Sequence, residues 1–176
     1  MNIFLVSLLL PLFKSIPRYT YSVADWKSDF QLMQSRGMYV FFLLQNLVHN
    51  CSSSDAVALN IGPDSWQPGQ IQNAYDAAVG TPLKLFFSFD FTEISCELQP
   101  IVNRVNQYAN HPNQFKVDGK VFISSFSGDC LGINGWASLK AQTNGYIMPF
   151  IWGLEGQFNV WSVLDSWLWL VHLQIS

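Results

Sequence analysis

Two acids, Asp90 and Asp129, are the residues of this 176-residue chain best placed to do chemistry. Each follows a short apolar run. Residues 83–89 (LKLFFSF) end on Asp90, and residues 121–126 (VFISSF) lead through Ser127 and Gly128 to Asp129. A third run, 56–61 (AVALNI), carries Asn60 and leads into Gly62, Pro63 and Asp64. Two carboxylates held across a cleft can divide the work of breaking an acetal. One protonates the leaving oxygen while the other acts as base or nucleophile, as glycoside hydrolysis requires. Either acid taken alone reads better as an ordinary loop acid, or one that holds the loops by hydrogen bonds. No Ser–His–acid arrangement accompanies them: His49, His111 and His172 are scattered, and His111 precedes Pro112 in a loop. The three cysteines, Cys51, Cys96 and Cys130, form no C-x-x-C pair, which argues against a zinc site.

The acids need a scaffold, and the chain supplies a regular one. Residues 22–35 read as an amphipathic helix, with Val23, Trp26, Phe30 and Met33 on one stripe. Ser22 is its N-cap, Asp25 sits three positions on as a capping-box acid, and Gly37 suits its stop. Strands are expected at 56–61, 83–89, 121–125 and 146–150. Helices are expected at 69–79, 100–109 and 136–142, with Pro100 in a first turn. Residues 111–120 read as a loop closed by the turn Val117-Asp118-Gly119-Lys120. Strands alternating with helices define βαβ units and a parallel sheet. Apolar strands without polar alternation mean that both faces are covered. Both a doubly wound sheet and a (β/α)8 barrel fit. No glycine-rich phosphate motif follows any strand, which lowers the nucleotide option, and no cofactor is expected. Acids at strand ends favour the barrel, whose active site lies on that face.

Composition sets the outer bounds. The chain is 49% apolar and 12% charged, enough for a real core in one domain. A net charge of -3 leaves no basic footprint, so nucleic acid is excluded as an expected partner. The aromatic content is 15%, with seven tryptophans. Those rings are either core or platforms for a ring-shaped ligand, and burial is the default fate of aromatics. Residues 1–13 (MNIFLVSLLLPLF) are similar to the apolar part of a secretory signal, without a basic start or an A-x-A site, and are too short to span a bilayer. The apolar run 160–175 is interrupted by Asp165 and His172 and reads as a buried or interfacial helix, so a membrane is not an expected partner. A membrane-held fragment is the competing reading of those two apolar ends.

At this point the residues resemble a known family. Residues 19–27 (YTYSVADWK), 55–66 (DAVALNIGPDSW), 70–78 (QIQNAYDAA), 84–90 (KLFFSFD), 111–119 (HPNQFKVDG) and 124–129 (SSFSGD) are similar to the N-terminal half of glycoside hydrolase family 71, the fungal α-1,3-glucanases or mutanases. The resemblance covers about residues 19–38 and 55–169. It implies a secreted or cell-wall hydrolase whose polysaccharide partner is α-1,3-glucan. It also implies an α/β fold, an incomplete (β/α)8 barrel holding about strands two to five. Asn60, Asp90 and Asp129 match strand-end positions that the resemblance implies line the glucan cleft, and Trp66 lies in the loop above it. Cys96 and Cys130 follow strand-end segments as in the family, which implies a disulfide between them.

Three departures accompany the resemblance. Residues 39–54 (YVFFLLQNLVHNCSSS) interrupt the pattern and resemble a translated intron, the alternative being a loop insertion that would expose apolar area. Residues 1–18 form a signal-like segment where the family's first strand is expected. Residues 19–169 form the partial barrel, and 170–176 depart from the pattern as an aberrant tail. The W-N-D-x-x-E motif that carries the family's proposed catalytic pair does not occur in these residues. The expectation is therefore that Asn60, Trp66, Asp90 and Asp129 bind or support substrate, that no catalytic residue is assigned, and that this chain is inactive. A non-catalytic carbohydrate-binding remnant is the alternative.

Overall fold

The computed structural model describes residues 21–35, 56–153, 157 and 159–166. The expectations for residues 1–18, Gly37, residues 39–54, Cys51, His49, His172 and residues 170–176 lie outside the described residues. The described chain runs α1 (Val23–Ser35), β1 (Ala56–Ile61), α2 (Gln67–Ala78), β2 (Lys84–Asp90), α3 (Leu98–Tyr108), β3 (Lys116–Val117), β4 (Lys120–Phe126), α4 (Gly132–Thr143) and β5 (Gly145–Phe150). A 3-10 turn at Asp129–Leu131 links β4 to α4.

Local chemistry explains where the helices begin. The Ser22 backbone N–H and hydroxyl both donate to the Asp25 carboxylate (2.8 and 2.7 Å), and the Asp25 N–H returns a longer bond to the Ser22 hydroxyl (3.3 Å). That reciprocal pair is a capping box with aspartate in the glutamate position. Helices α2 and α3 start two residues earlier than their apolar periodicity indicates. Pro68 and Pro100 each fall in the first turn, where a missing N–H breaks no intrahelical bond, so neither ring delays the helix. Helix α4 reaches back to Gly132 for a different reason: Gly132 (φ 59°) swings the chain out of the 3-10 turn and into the helix.

Strands β1, β2, β4 and β5 are parallel neighbours in that order. The loop expected at 111–120 contains an extra strand. Asp118 and Gly119 both have positive φ (50° and 76°), the geometry of a tight hairpin turn, and fold β3 antiparallel onto the start of β4. Just before β3, the Leu85 N–H donates to the Asn113 carbonyl (2.7 Å) and the Phe115 N–H donates to the Leu85 carbonyl (2.8 Å). This segment therefore fills the gap between the beginnings of β2 and β4, which pair directly only from Phe87 onward.

The sheet has two unlike faces. Val57, Leu59, Leu85, Phe87, Phe89, Val121, Ile123 and Ile147 pack with Ile71, Tyr75, Ile101, Val105, Trp136 and Leu139 of the helices in one large core. A second, smaller cluster of Phe86, Val117, Phe122, Tyr146 and Met148 includes no helical residue. That is the layout of a βα unit of a barrel, with helices outside and a separate filling inside. Strand β5 carries no charged side chain and is buried along its whole length, as a strand covered on both faces should be.

Candidate functional site

Side chains alternate along a strand, so the residues facing away from the helices can be read in rows across the sheet. Asn60 of β1 is level with Ser88 of β2, Ser88 with Ser124 of β4, and Ser124 with Met148 of β5. One step further toward the C-terminal ends, Asp90 is level with Phe126, and Phe126 with Phe150. Below these rows the same face is filled by Phe86, Phe122 and Tyr146. The helix-free face thus changes from apolar to polar as the strands approach their C-terminal ends. Asn60, Ser88 and Asp90 are half-buried there, while Ser124 is buried.

Asp90 ends β2, and its carboxylate is already engaged. Oδ1 accepts the Thr92 N–H at 3.1 Å and the Thr92 hydroxyl at 2.5 Å, while the Asp90 carbonyl accepts the N–H groups of Glu93 and Ile94. Among the described residues no partner takes Oδ2. Asp129 opens the 3-10 turn and accepts the Ser127 hydroxyl at 3.0 Å. The two acids are tied through their loops. The Phe91 N–H donates to the Phe126 carbonyl (3.0 Å), and Cys96, in the loop after β2, is bonded to Cys130, beside Asp129, with Cα atoms 6.1 Å apart.

The Asp129 loop is tightly held. Ser127 has φ 61°, unusual for a residue with a side chain, and Gly128 has φ 119°. The Gly128 carbonyl accepts the buried Trp136 indole N–H at 2.9 Å, and a Cβ at Gly128 would lie 2.7 Å from the Trp136 ring. Only glycine fits between that ring and the turn. The Ser125 hydroxyl adds a bond to the Ser127 carbonyl at 2.7 Å. Local strain of this kind is kept where a loop must hold one shape.

Asn60 stands in the polar row with its neighbours. Trp66 precedes α2 in the loop after β1 and is 40% exposed. Sequence reasoning missed Ser88 and Ser124, and it missed an aromatic group at the far end of the face. Phe126 and Phe150 stack at 5.5 Å, and the Trp152 ring meets them nearly edge-on, at 6.0 and 4.7 Å. The available signal was the alternation S-F-D in β2 and the string PFIW at the end of β5. Which serine faced the site depended on strand register.

A parallel sheet with helices on one face, a separate filling on the other and polar residues at the strand C-termini defines a βα-barrel type of protein. In agreement, the chain superimposes on the GH99 endo-alpha-mannosidase from Bacteriodes thetaiotaomicron, solved with BIS-TRIS-Propane. The TM-score is 0.52 at 14% identity, over 64% of this chain and 40% of that one, a likeness of fold alone. The chain belongs to glycosyl hydrolase family 71, whose model matches residues 10–171. Its relatives include the glucan endo-1,3-alpha-glucosidase agn1 of Schizosaccharomyces pombe, 36% identical over an alignment of 174 residues that covers 84% of this chain and 37% of that protein. A mutanase of Penicillium rubens is 33% identical over 124 residues, 70% of this chain and 24% of the mutanase. The chain thus spans about a third or less of the length of these fungal relatives.

Proposed function

We propose that the described sheet is the substrate-holding part of an α-1,3-glucan hydrolase barrel, and that this chain binds the glucan without cutting it. The observation that carries the reading is the polar row Asn60–Ser88–Ser124 on the helix-free face at the strand C-termini, with Asp90 one step beyond. Short side chains with hydroxyl and amide groups suit a ligand that is itself a dense array of hydroxyls, since each can donate or accept as the sugar requires. Hydrolysis asks for more than binding: two carboxylates must flank the scissile bond. Among the described residues Asp90 is the one carboxylate carried by a strand, and its Oδ1 is committed to Thr92. Asp129 lies beyond β4 in a loop held by Ser127. Both acids therefore act as supports of the loops that border the sugar. Asn60 and Ser88 contact it, the buried Ser124 continues the polar row, and Trp66 covers it from the loop after β1. The substrate class implies work on cell-wall polysaccharide outside the cell, where the Cys96–Cys130 bond persists.

The test is depletion of the pure chain from solution by insoluble α-1,3-glucan, with β-1,3-glucan and starch as comparison solids, followed by a reducing-sugar assay. Selective retention on α-1,3-glucan without sugar release is the expected outcome. Equal retention on all three solids would remove the substrate assignment, and sugar release would overturn the division between holding and cutting.

A further inference from the structure

We propose that Trp152, seated on Phe150 and Phe126, is a stacking platform for one pyranose ring of the bound glucan, an inference that rests on the glucan-binding reading above. At 60% exposure Trp152 is the most exposed large apolar residue described. An indole left in water forgoes the favourable burial open to most tryptophans. Here it is also held still. Its ring meets Phe150 at 4.7 Å and 78° and Phe126 at 6.0 Å and 86°, and those two rings stack on each other at 28°. The backbone is anchored on one side by Ile151, 1% exposed, and turns away on the other through Gly153 at φ 73°. A pre-fixed ring loses little freedom when a ligand lies on it.

The surroundings select the ligand. Phe126 and Phe150 share their register row with Asp90, and the neighbouring row carries Asn60, Ser88 and Ser124. The apolar island is three rings wide, with hydrogen-bonding groups on the strands beside it. A lipid or an apolar helix would need a longer continuous patch. A pyranose has one flat C–H face and a rim of hydroxyls, and it matches an aromatic floor with polar strands alongside. Trp66, at the opposite end of the sheet, is also exposed, but among the described residues no aromatic ring holds it in place.

The test uses the full chain, Trp152→Ala, Trp152→Phe and, as a remote exposed control, Leu32→Ala. Binding is measured on insoluble α-1,3-glucan, and tryptophan emission is followed on adding soluble α-1,3-gluco-oligosaccharide. Trp152→Ala should weaken retention roughly tenfold, the ratio expected for one aromatic contact of about 1.4 kcal/mol. Trp152→Phe should keep most of the retention but reduce the ligand-induced emission change, to which Trp66 also contributes, and Leu32→Ala should match the unmodified chain. If the unmodified chain binds while Trp152→Ala retains full affinity, or if the emission change is undiminished in Trp152→Phe, the platform is refuted and the glucan-binding reading stands. If the unmodified chain does not bind, both fall.

Discussion

At the scale of single residues, the site acids illustrate how a hydrogen bond bears on two readings that sequence leaves open. Asp90 and Asp129 have the same chemistry and comparable positions, yet each carboxylate accepts from a hydroxyl two residues away in its own loop, Thr92 and Ser127. Local bonds of this type fix turns. His111 shows the same logic with a titratable consequence. Its Nδ1 accepts the Asn113 N–H at 3.1 Å, which requires the unprotonated ring. Burial lowers its pKa from the ordinary histidine value, with the nearby Asp76 charge pulling weakly the other way. The unfolded chain then binds the proton more readily than the folded one, so stability is complete above the unfolded value of about 6.5 and declines as pH falls below it. Asn113 in turn donates from Nδ2 to the carbonyls of Ala78, Thr81 and Leu83, so the loss reaches the start of β2. The denaturation midpoint should fall between about pH 7.5 and about pH 5.5, and His111→Asn, which keeps an acceptor but cannot gain the proton, should flatten that decline. An identical pH slope in the two proteins would remove His111 from the account.

At the scale of elements, most of the fold is written in the sequence and the site is not. Apolar runs without alternation gave β1, β2, β4 and β5, because strands covered on both faces need apolar residues at nearly every position. The Ser22–Asp25 pair announced α1. Strand β3 went unseen because two residues carry no period, and its existence depends on a gap between β2 and β4 that only appears once those strands pair. The polar row was hidden for a related reason. Asn60, Ser88 and Ser124 are neighbours through register, and register depends on the stagger between strands far apart in sequence. The tryptophans divide the same way: Trp136 is fully buried beneath the Asp129 loop while Trp152 is exposed at a strand end, a distinction that counting tryptophans cannot make. The bond from Cys96 to Cys130 ties the loop after β2 to the loop after β4 across a separation of 34 residues. Closing a loop of that length restrains the unfolded chain by roughly 3–4 kcal/mol. Reduction, or Cys96→Ala with Cys130→Ala, should lower the unfolding free energy by about that amount and weaken glucan retention together with it. Unchanged stability on reduction would mean that the two loops are held by their backbone bonds alone.

At the scale of the whole molecule, the two faces of the sheet have separate duties. The large core beneath the helices supplies the rigidity, and the opposite face grades from Phe86, Phe122 and Tyr146 to hydroxyls, an amide and an exposed indole at the strand C-termini. The family assignment and the barrel-type likeness agree with that polarity of the sheet. The central claim is that glucan lies across the C-terminal ends of the parallel strands. Amide hydrogen exchange of the unmodified chain, with and without soluble α-1,3-gluco-oligosaccharide, tests it most directly. The account predicts slowed exchange in residues 62–66, 91–97, 127–131 and 150–153, at that end, and no change in residues 111–120 at the opposite end. Protection confined to residues 111–120, or none in the four strand-end segments while the sugar is bound, would contradict it.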